Sequence, residues 1–241
     1  MKIIDKIKAK QANFRKEKSV TVVFIGDSVT QGCFDVYVDH EGKGQPFFDY
    51  KNAPSTKFKE IINMLYPSVQ VNVINSGISG DTAKGCLERV DRDVLAFNPD
   101  LVVVSVGLND VWRGKDGVED YKNNLKTLFE KIVASGAECI FMTQNSLNTY
   151  VSSLTAKGFE QTAEKLAKFQ NDGVLDALYD GAKQSAKETG VVVCDVYAKW
   201  KKLIEGGVDV TMLLSNKLNH PTVEMNYVFA YSLIETIFGI N

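Results

Sequence analysis

Ser28 stands in Phe24-Ile25-Gly26-Asp27-Ser28-Val29-Thr30, directly behind a run of β-branched and aromatic residues. A serine on a tight, glycine-bearing turn that leaves a strand has its hydroxyl aimed out of the sheet's end with backbone N–H groups beside it. A nucleophile attacking a carbonyl carbon needs both. On this segment alone a helix cap is the simpler reading. Two further turns change the balance. Asn75-Ser76-Gly77-Ile78-Ser79-Gly80-Asp81-Thr82 and Val106-Gly107-Leu108-Asn109-Asp110 follow the next two apolar runs. Gly77 lets backbone approach a ligand closely and offers an N–H, and Asn109 offers a side-chain amide donor.

A serine nucleophile needs a base, and the 241 residues contain only two histidines, His40 and His220. His220 lies in Leu214-Ser215-Asn216-Lys217-Leu218-Asn219-His220-Pro221, where Pro221 reads as the first residue of a final helix from Thr222 to about Ile237. That places the imidazole at a helix entrance. A lone histidine there is by default a cap or a surface residue. His40 lies in a long polar insertion and is the weaker candidate.

These residues must be positioned by something, and the chain supplies layers. Val20–Ile25, Val71–Ile74, Leu101–Val106, Cys139–Met142 and Val191–Cys194 are short, β-branched and continuous rather than alternating, as in strands buried on both faces. Helix-period stretches separate them, the clearest being Val118, Tyr121, Leu125, Leu128, Phe129, Ile132 and Val133, stopped by Gly136. The expected fold is α/β: a doubly wound three-layer α/β/α sandwich around a five-stranded parallel sheet. In the flavodoxin-like order 2-1-3-4-5, the turns carrying Ser28, Gly77 and Asn109 converge on one crevice. No repeat, low-complexity run or Pro/Gly linker divides residues 1–241, so one domain is expected, with an N-terminal helix within 1–18. Two connections, 31–52 and 144–172, exceed ordinary βα loops. Their aromatics, Phe34, Tyr37, Phe47, Phe48, Tyr50, Tyr150 and Phe159, serve either as a substrate wall or as packing for the excursion.

At these positions the sequence resembles the SGNH, or GDSL, hydrolase family. Gly26-Asp27-Ser28 matches the nucleophile block, with Val29 where the family name has Leu. Gly77 in Asn75-x-Gly77, Asn109 in Gly107-x-Asn109-Asp110, and His220-Pro221 match the later blocks in family order, so the resemblance runs over residues 24–221. It implies an esterase with no cofactor and no metal: Ser28 attacks an ester carbonyl, His220 takes its proton and later activates water, and the Ser28 and Gly77 N–H groups and the Asn109 amide hold the oxyanion. One departure stands out. The family usually carries an Asp three residues before the histidine, and here that residue is Lys217. Asn216 or Asn219 could orient the imidazole, or an acid such as Asp195 or Asp209 could arrive from elsewhere. A neutral amide does not stabilise an imidazolium as a carboxylate does.

The neighbours of these motifs read as structural: Asp27 pins its turn, Asp110 braces the Asn109 loop, and Asp81, Thr82 and Arg89 cap or solvate the following helix. Cys33 reads as a small apolar residue, and Trp112 as either a wall of the acyl pocket or a plug at the sheet edge.

Composition narrows the function classes. Lys and Arg number 28 against 30 Asp and Glu, so the basic excess that draws nucleic acid is missing and a small-molecule ester is the expected partner. Four scattered cysteines make neither a zinc motif nor a disulfide framework. The charged N-terminus lacks a secretory h-region and no stretch is long enough for a membrane span, so a cytoplasmic protein is expected. Short acyl groups such as acetyl on a carbohydrate are the first substrate choice. The alternatives are a lysophospholipase or thioesterase, an acyltransferase of the same fold, and a flavodoxin-like binding module without chemistry. The last lacks any phosphate-cradling glycine loop.

Overall fold

A computed structural model describes residues 1–240. From the N-terminus its elements are α1 (Lys2–Ala12), β1 (Val20–Gly26), α2 (Ser28–Gln31), β2 (Cys33–Val38), β3 (Gly44–Phe48), α3 (Pro54–Leu65), β4 (Val71–Gly77) and α4 (Ala83–Asp93). They continue as β5 (Leu101–Ser105), α5 (Val118–Ala134), β6 (Glu138–Met142), α6 (Glu160–Asn171), α7 (Val174–Thr189), β7 (Val192–Cys194), α8 (Val196–Glu205) and α9 (Asn226–Phe238).

The main sheet is five-stranded and parallel in the order β4-β1-β5-β6-β7. Helices α1, α3, α8 and α9 pack on one face and α4, α5 and α7 on the other, giving three layers. Covered on both faces, the central strands have no solvent side to mark with polar residues. Val22, Val23, Ile25, Val102, Val103 and Val104 are accordingly all fully buried.

Register then sets the level at which the chain leaves the sheet. Gly26, the last residue of β1, lies opposite Gly77 of β4 on one side and Ser105 of β5 on the other. The turns after these three strands therefore open at the same edge, at the switch point where connections diverge to either side. Glycine is required at two of these positions by close approach. A Cβ on Gly26 would stand 1.9 Å from the Ser105 carbonyl oxygen, and one on Gly77 would stand 2.3 Å from the Gln31 nitrogen of α2.

Both long connections carry structure of their own. Residues 33–48 form the antiparallel hairpin β2–β3, and the second connection ends in α6. The two meet, because Phe159 lies against Gly44 of the hairpin and Val38 against Gly158. Tyr37, Phe47 and Tyr50 stay exposed. The final helix is shorter than expected. Pro221 does not open it but forms an isolated antiparallel bridge with Leu214, and α9 begins only at Asn226.

Candidate active site

Ser28 is the first residue of α2, so its N–H has no carbonyl within the helix to bond. Asp27 is the cap, accepting from Val29 N at 3.0 Å through Oδ1. The same oxygen accepts from Gln144 Nε2 at 2.8 Å, while Oδ2 is buried without a partner. Burial pushes the Asp27 carboxyl up to about 7, the largest influence on it, with the two hydrogen bonds working the other way.

A second brace lies below the turn. Arg89 donates through Nη2 to Gly26 O at 3.0 Å and through Nη1 to Ser76 O at 2.6 Å, and its Nε pairs with Asp81 Oδ2 at 2.7 Å. It therefore ties the end of β1, two residues before Ser28, to the end of β4, one residue before Gly77. This corrects the expectation of a solvated residue, because Arg89 is buried. Helical spacing marks it as one charge among several on α4 and does not reveal that its face turns toward the strand ends.

His220 comes from the opposite side on a loop that closes on itself. Ser215 N donates to His220 O at 2.7 Å and Thr222 N to Leu213 O at 3.0 Å. Inside it, Asn216 Oδ1 accepts the backbone N–H groups of Leu218, Asn219 and His220, each at 3.0 Å. The imidazole Nε2 lies 2.9 Å from Ser28 Oγ, and Nδ1 lies 3.0 Å from Asn216 Nδ2. Ser28 and His220 are only 5% and 4% exposed, so the pair is withdrawn from bulk water. Burial alone pushes the imidazole down to about 4.

The remaining expected residues are distributed around this pair. Asn109 donates to Asp81 O at 2.9 Å, which leaves its second amide hydrogen for a ligand. The Gly77 N–H is engaged by Asn75 Oδ1 at 3.0 Å, so the expected oxyanion donor is held by a neighbouring side chain in this conformation. Asn219 touches Asn216 rather than the imidazole. Lys217 turns away, donating to Met212 O and Leu214 O. Asp195 pairs with Lys183 and caps α8, and Asp209 accepts from Tyr150 and Thr211; neither hydrogen-bonds the imidazole. His40 is exposed in the hairpin turn. Asp110 accepts from Ala83 N at the start of α4 and is pushed up to about 7 by burial. Cys33 is buried and its thiol pushed up to about 12. Trp112 is half-exposed and stacks edge-on against Phe169 of α6, with centroids 5.6 Å apart.

Sequence reasoning missed the start of the second connection. Thr143, Gln144, Asn145, Ser146 and Asn148 are all fully buried although polar. Gln144 bonds Asp27 and, through Oε1, Leu108 N; Asn145 Nδ2 donates to Asn219 O, and Asn148 N to Leu218 O. One segment thus ties together the turns bearing Ser28, Asn109 and His220. The available signal was a polar run starting one residue beyond an apolar strand, at the sheet edge where the other motifs end.

With this geometry in hand, comparison with known proteins gives a consistent picture. Residues 24–227 match the GDSL-like lipase/acylhydrolase family. The chain is 25% identical over 229 residues to an acetylxylan esterase of Geobacillus stearothermophilus, covering 90% of this chain and 93% of that one. It is 26% identical over 155 residues to the thioesterase 1/protease 1/lysophospholipase L1 of Escherichia coli K12, covering 64% and 65%. Among solved structures it shares its fold with LAE5, an α/β hydrolase from the Lake Arreo metagenome, at TM-score 0.68, 20% identity and coverage of 93% and 98%. It also shares the fold of the Geobacillus acetylxylan esterase Axe2, at TM-score 0.60, 22% identity and coverage of 90% and 94%.

Proposed function

The chain belongs to the GDSL-like lipase/acylhydrolase family and is a carboxylic ester hydrolase, and on that premise we propose that Ser28 and His220 catalyse removal of short acyl groups, acetyl foremost, from a carbohydrate or other small polar substrate. The observation that carries the catalytic assignment is the 2.9 Å contact between Ser28 Oγ and His220 Nε2 at the edge where the strands end. In the forward step the hydroxyl proton passes to Nε2 as Oγ bonds the ester carbon. The oxyanion is received by the Ser28 N–H and the second amide hydrogen of Asn109, with the Gly77 N–H joining once Asn75 releases it. Each such donor is worth about 10²–10³ in kcat. Collapse expels the alcohol with the proton from Nε2, and water repeats the cycle on the acyl–serine.

The substrate class rests on the end-to-end match to an acetylxylan esterase, against the two-thirds coverage of the thioesterase/lysophospholipase. The exposed rings of Tyr37, Phe47 and Tyr50, on the insertion that follows Ser28, and of Trp112 beside Asn109 add flat surfaces with polar neighbours, suited to stacking against sugars. The test is hydrolysis of p-nitrophenyl acetate, butyrate and octanoate, with an acetylated oligosaccharide alongside, by wild type and Ser28→Ala. Acetate is expected to be fastest and the variant to fall to background. A preference for octanoate would move the substrate to lipid-like acyl groups, and full activity in Ser28→Ala would remove the nucleophile assignment. Adding an alcohol acceptor detects acyl transfer in the same assay.

A further inference from the structure

Asn216 presents its nitrogen, not its oxygen, to the imidazole, and the loop around it dictates this. Its Oδ1 already accepts three backbone N–H groups, from Leu218, Asn219 and His220. Turning the amide over would press two N–H donors of Nδ2 against those three and leave all of them buried and unpaired, which the loop does not tolerate cheaply. The amide is pinned a second time by its Nδ2 donating to Asn219 Oδ1 at 3.0 Å. The hydrogen between Asn216 Nδ2 and His220 Nδ1, which lie 3.0 Å apart, therefore belongs to Asn216, and Nδ1 must be the acceptor. In a neutral imidazole the proton then sits on Nε2. It points at Ser28 Oγ.

We infer that Asn216 holds His220 in the tautomer opposite to the one a general base needs, so that the resting imidazole donates to Ser28 instead of accepting its proton, and that position 216 is the control point of this hydrolase's rate. Turnover draws on the minor tautomer, with hydrogen on Nδ1 facing the hydrogens of Asn216. An asparagine that enforces the wrong tautomer in a serine–histidine site lowers kcat by about 10⁴ even with the geometry intact. Here the restraint is built into the native chain. It does not lie at the residue three before the histidine, since Lys217 turns away, but one residue earlier. The inference rests on the ester-hydrolase reading of the Ser28–His220 pair.

Asn216→Asp is the informative variant. It is isosteric, one carboxylate oxygen keeps the three backbone N–H bonds, and the other accepts from Nδ1–H, so the tautomer reverses. The kcat on p-nitrophenyl acetate is expected to rise at least tenfold, with about 10⁴-fold as the ceiling. The acid limb of kcat/KM is expected to move upward, because a carboxylate beside the ring stabilises the imidazolium. A residue that merely shapes the loop would move neither. Nitrogen-15 NMR of the histidine rings reads the tautomer directly and needs only the wild-type protein. It should show hydrogen on Nε2 in the wild type and on Nδ1 in the variant. A wild-type spectrum with hydrogen on Nδ1, or a folded variant with unchanged kcat and unchanged acid limb, overturns the inference. Should Asn216→Asp fail to fold, the wild-type spectrum still decides. If wild type and variant both match the Ser28→Ala background, the ester-hydrolase reading of the pair fails, and the spectrum judges the tautomer separately.

Discussion

Ser28 is fixed by the sheet, whereas His220 is fixed by a loop that folds onto itself. On the serine side the restraints are long-range and charged: strand register at Gly26, the Arg89 bonds to Gly26 O and Ser76 O, and the Gln144 bond to Asp27. On the histidine side they are neutral and mostly local, centred on the amide of Asn216, with Asn145 and Asn148 anchoring the loop from outside through Asn219 O and Leu218 O. A position set by strand register changes little without disturbing the core. A position set by one side chain changes its chemistry with a single substitution. If Asn216 sets the tautomer as inferred, the histidine loop is where rate is adjusted at little structural cost.

Breaking the pair itself should cost the most. His220→Ala should lower kcat on p-nitrophenyl acetate by about 10³ or more, and combining it with Ser28→Ala should cost little further, because residues acting as a unit are not additive. Additive losses would mean that the two act independently. Next comes the charged brace. Arg89→Met keeps the length of the side chain but leaves Asp81 without its guanidinium partner and two strand-end carbonyls without their donor. Removing one partner of a buried pair costs about 3–5 kcal/mol. Urea unfolding should register that loss, and surviving activity should fall as well. A variant as stable as wild type would show that the sheet register alone holds the turn.

A smaller effect is expected from protons. The Asp27 carboxyl is raised from 3.8 to about 7 by burial, so the folded state holds a proton that the unfolded chain has already released over most of that range. Its contribution to stability is therefore fully present below the unfolded value and is lost as pH rises through about 7. At roughly 1.4 kcal/mol per unit of displacement, the loss amounts to about 4 kcal/mol. Asp27→Asn, which keeps an acceptor for Val29 N and cannot titrate, should flatten this decline. Unfolding free energies of wild type and variant between about pH 4 and pH 8 should converge or cross. Parallel profiles would show that Asp27 does not carry the proton.

Sequence patterning exposed the sheet because burial on both faces leaves an unmistakable mark, a continuous β-branched run such as Leu101–Ser105. The serine turn was legible for the same reason, since Gly26-Asp27-Ser28 ends such a run. What lies between elements was less legible. The hairpin β2–β3 carries few alternating residues, and a proline that bridges to Leu214, as Pro221 does, looks in sequence like one that starts a helix. Arg89 and Gln144 act through burial, and residue type argues against burial for both. The choice between Asn216 and Asn219 could not be made from spacing, because it depends on which side chain the loop turns inward.

Lys217 offers the finest test of the contrast, and the smallest expected change. It occupies the place where the family resemblance implies an acid, so an unshifted loop would make Lys217→Asp the natural repair. In the structure its backbone is left-handed, with φ 58°, and its Nζ donates to Met212 O and Leu214 O on the side away from the ring. An aspartate tolerates that backbone better than lysine does, which offsets the two lost bonds, and its carboxylate, repelled by the same carbonyls, turns to water. Stability should stay within about 1 kcal/mol. The kcat should stay within about twofold, because Asn216 still fills the Nδ1 side. Measured beside Asn216→Asp, the pair of variants reads the loop's register through chemistry. A gain at position 217 would mean the loop slides by one residue in solution, and a gain at 216 alone would mean that this chain has moved its histidine partner one position back.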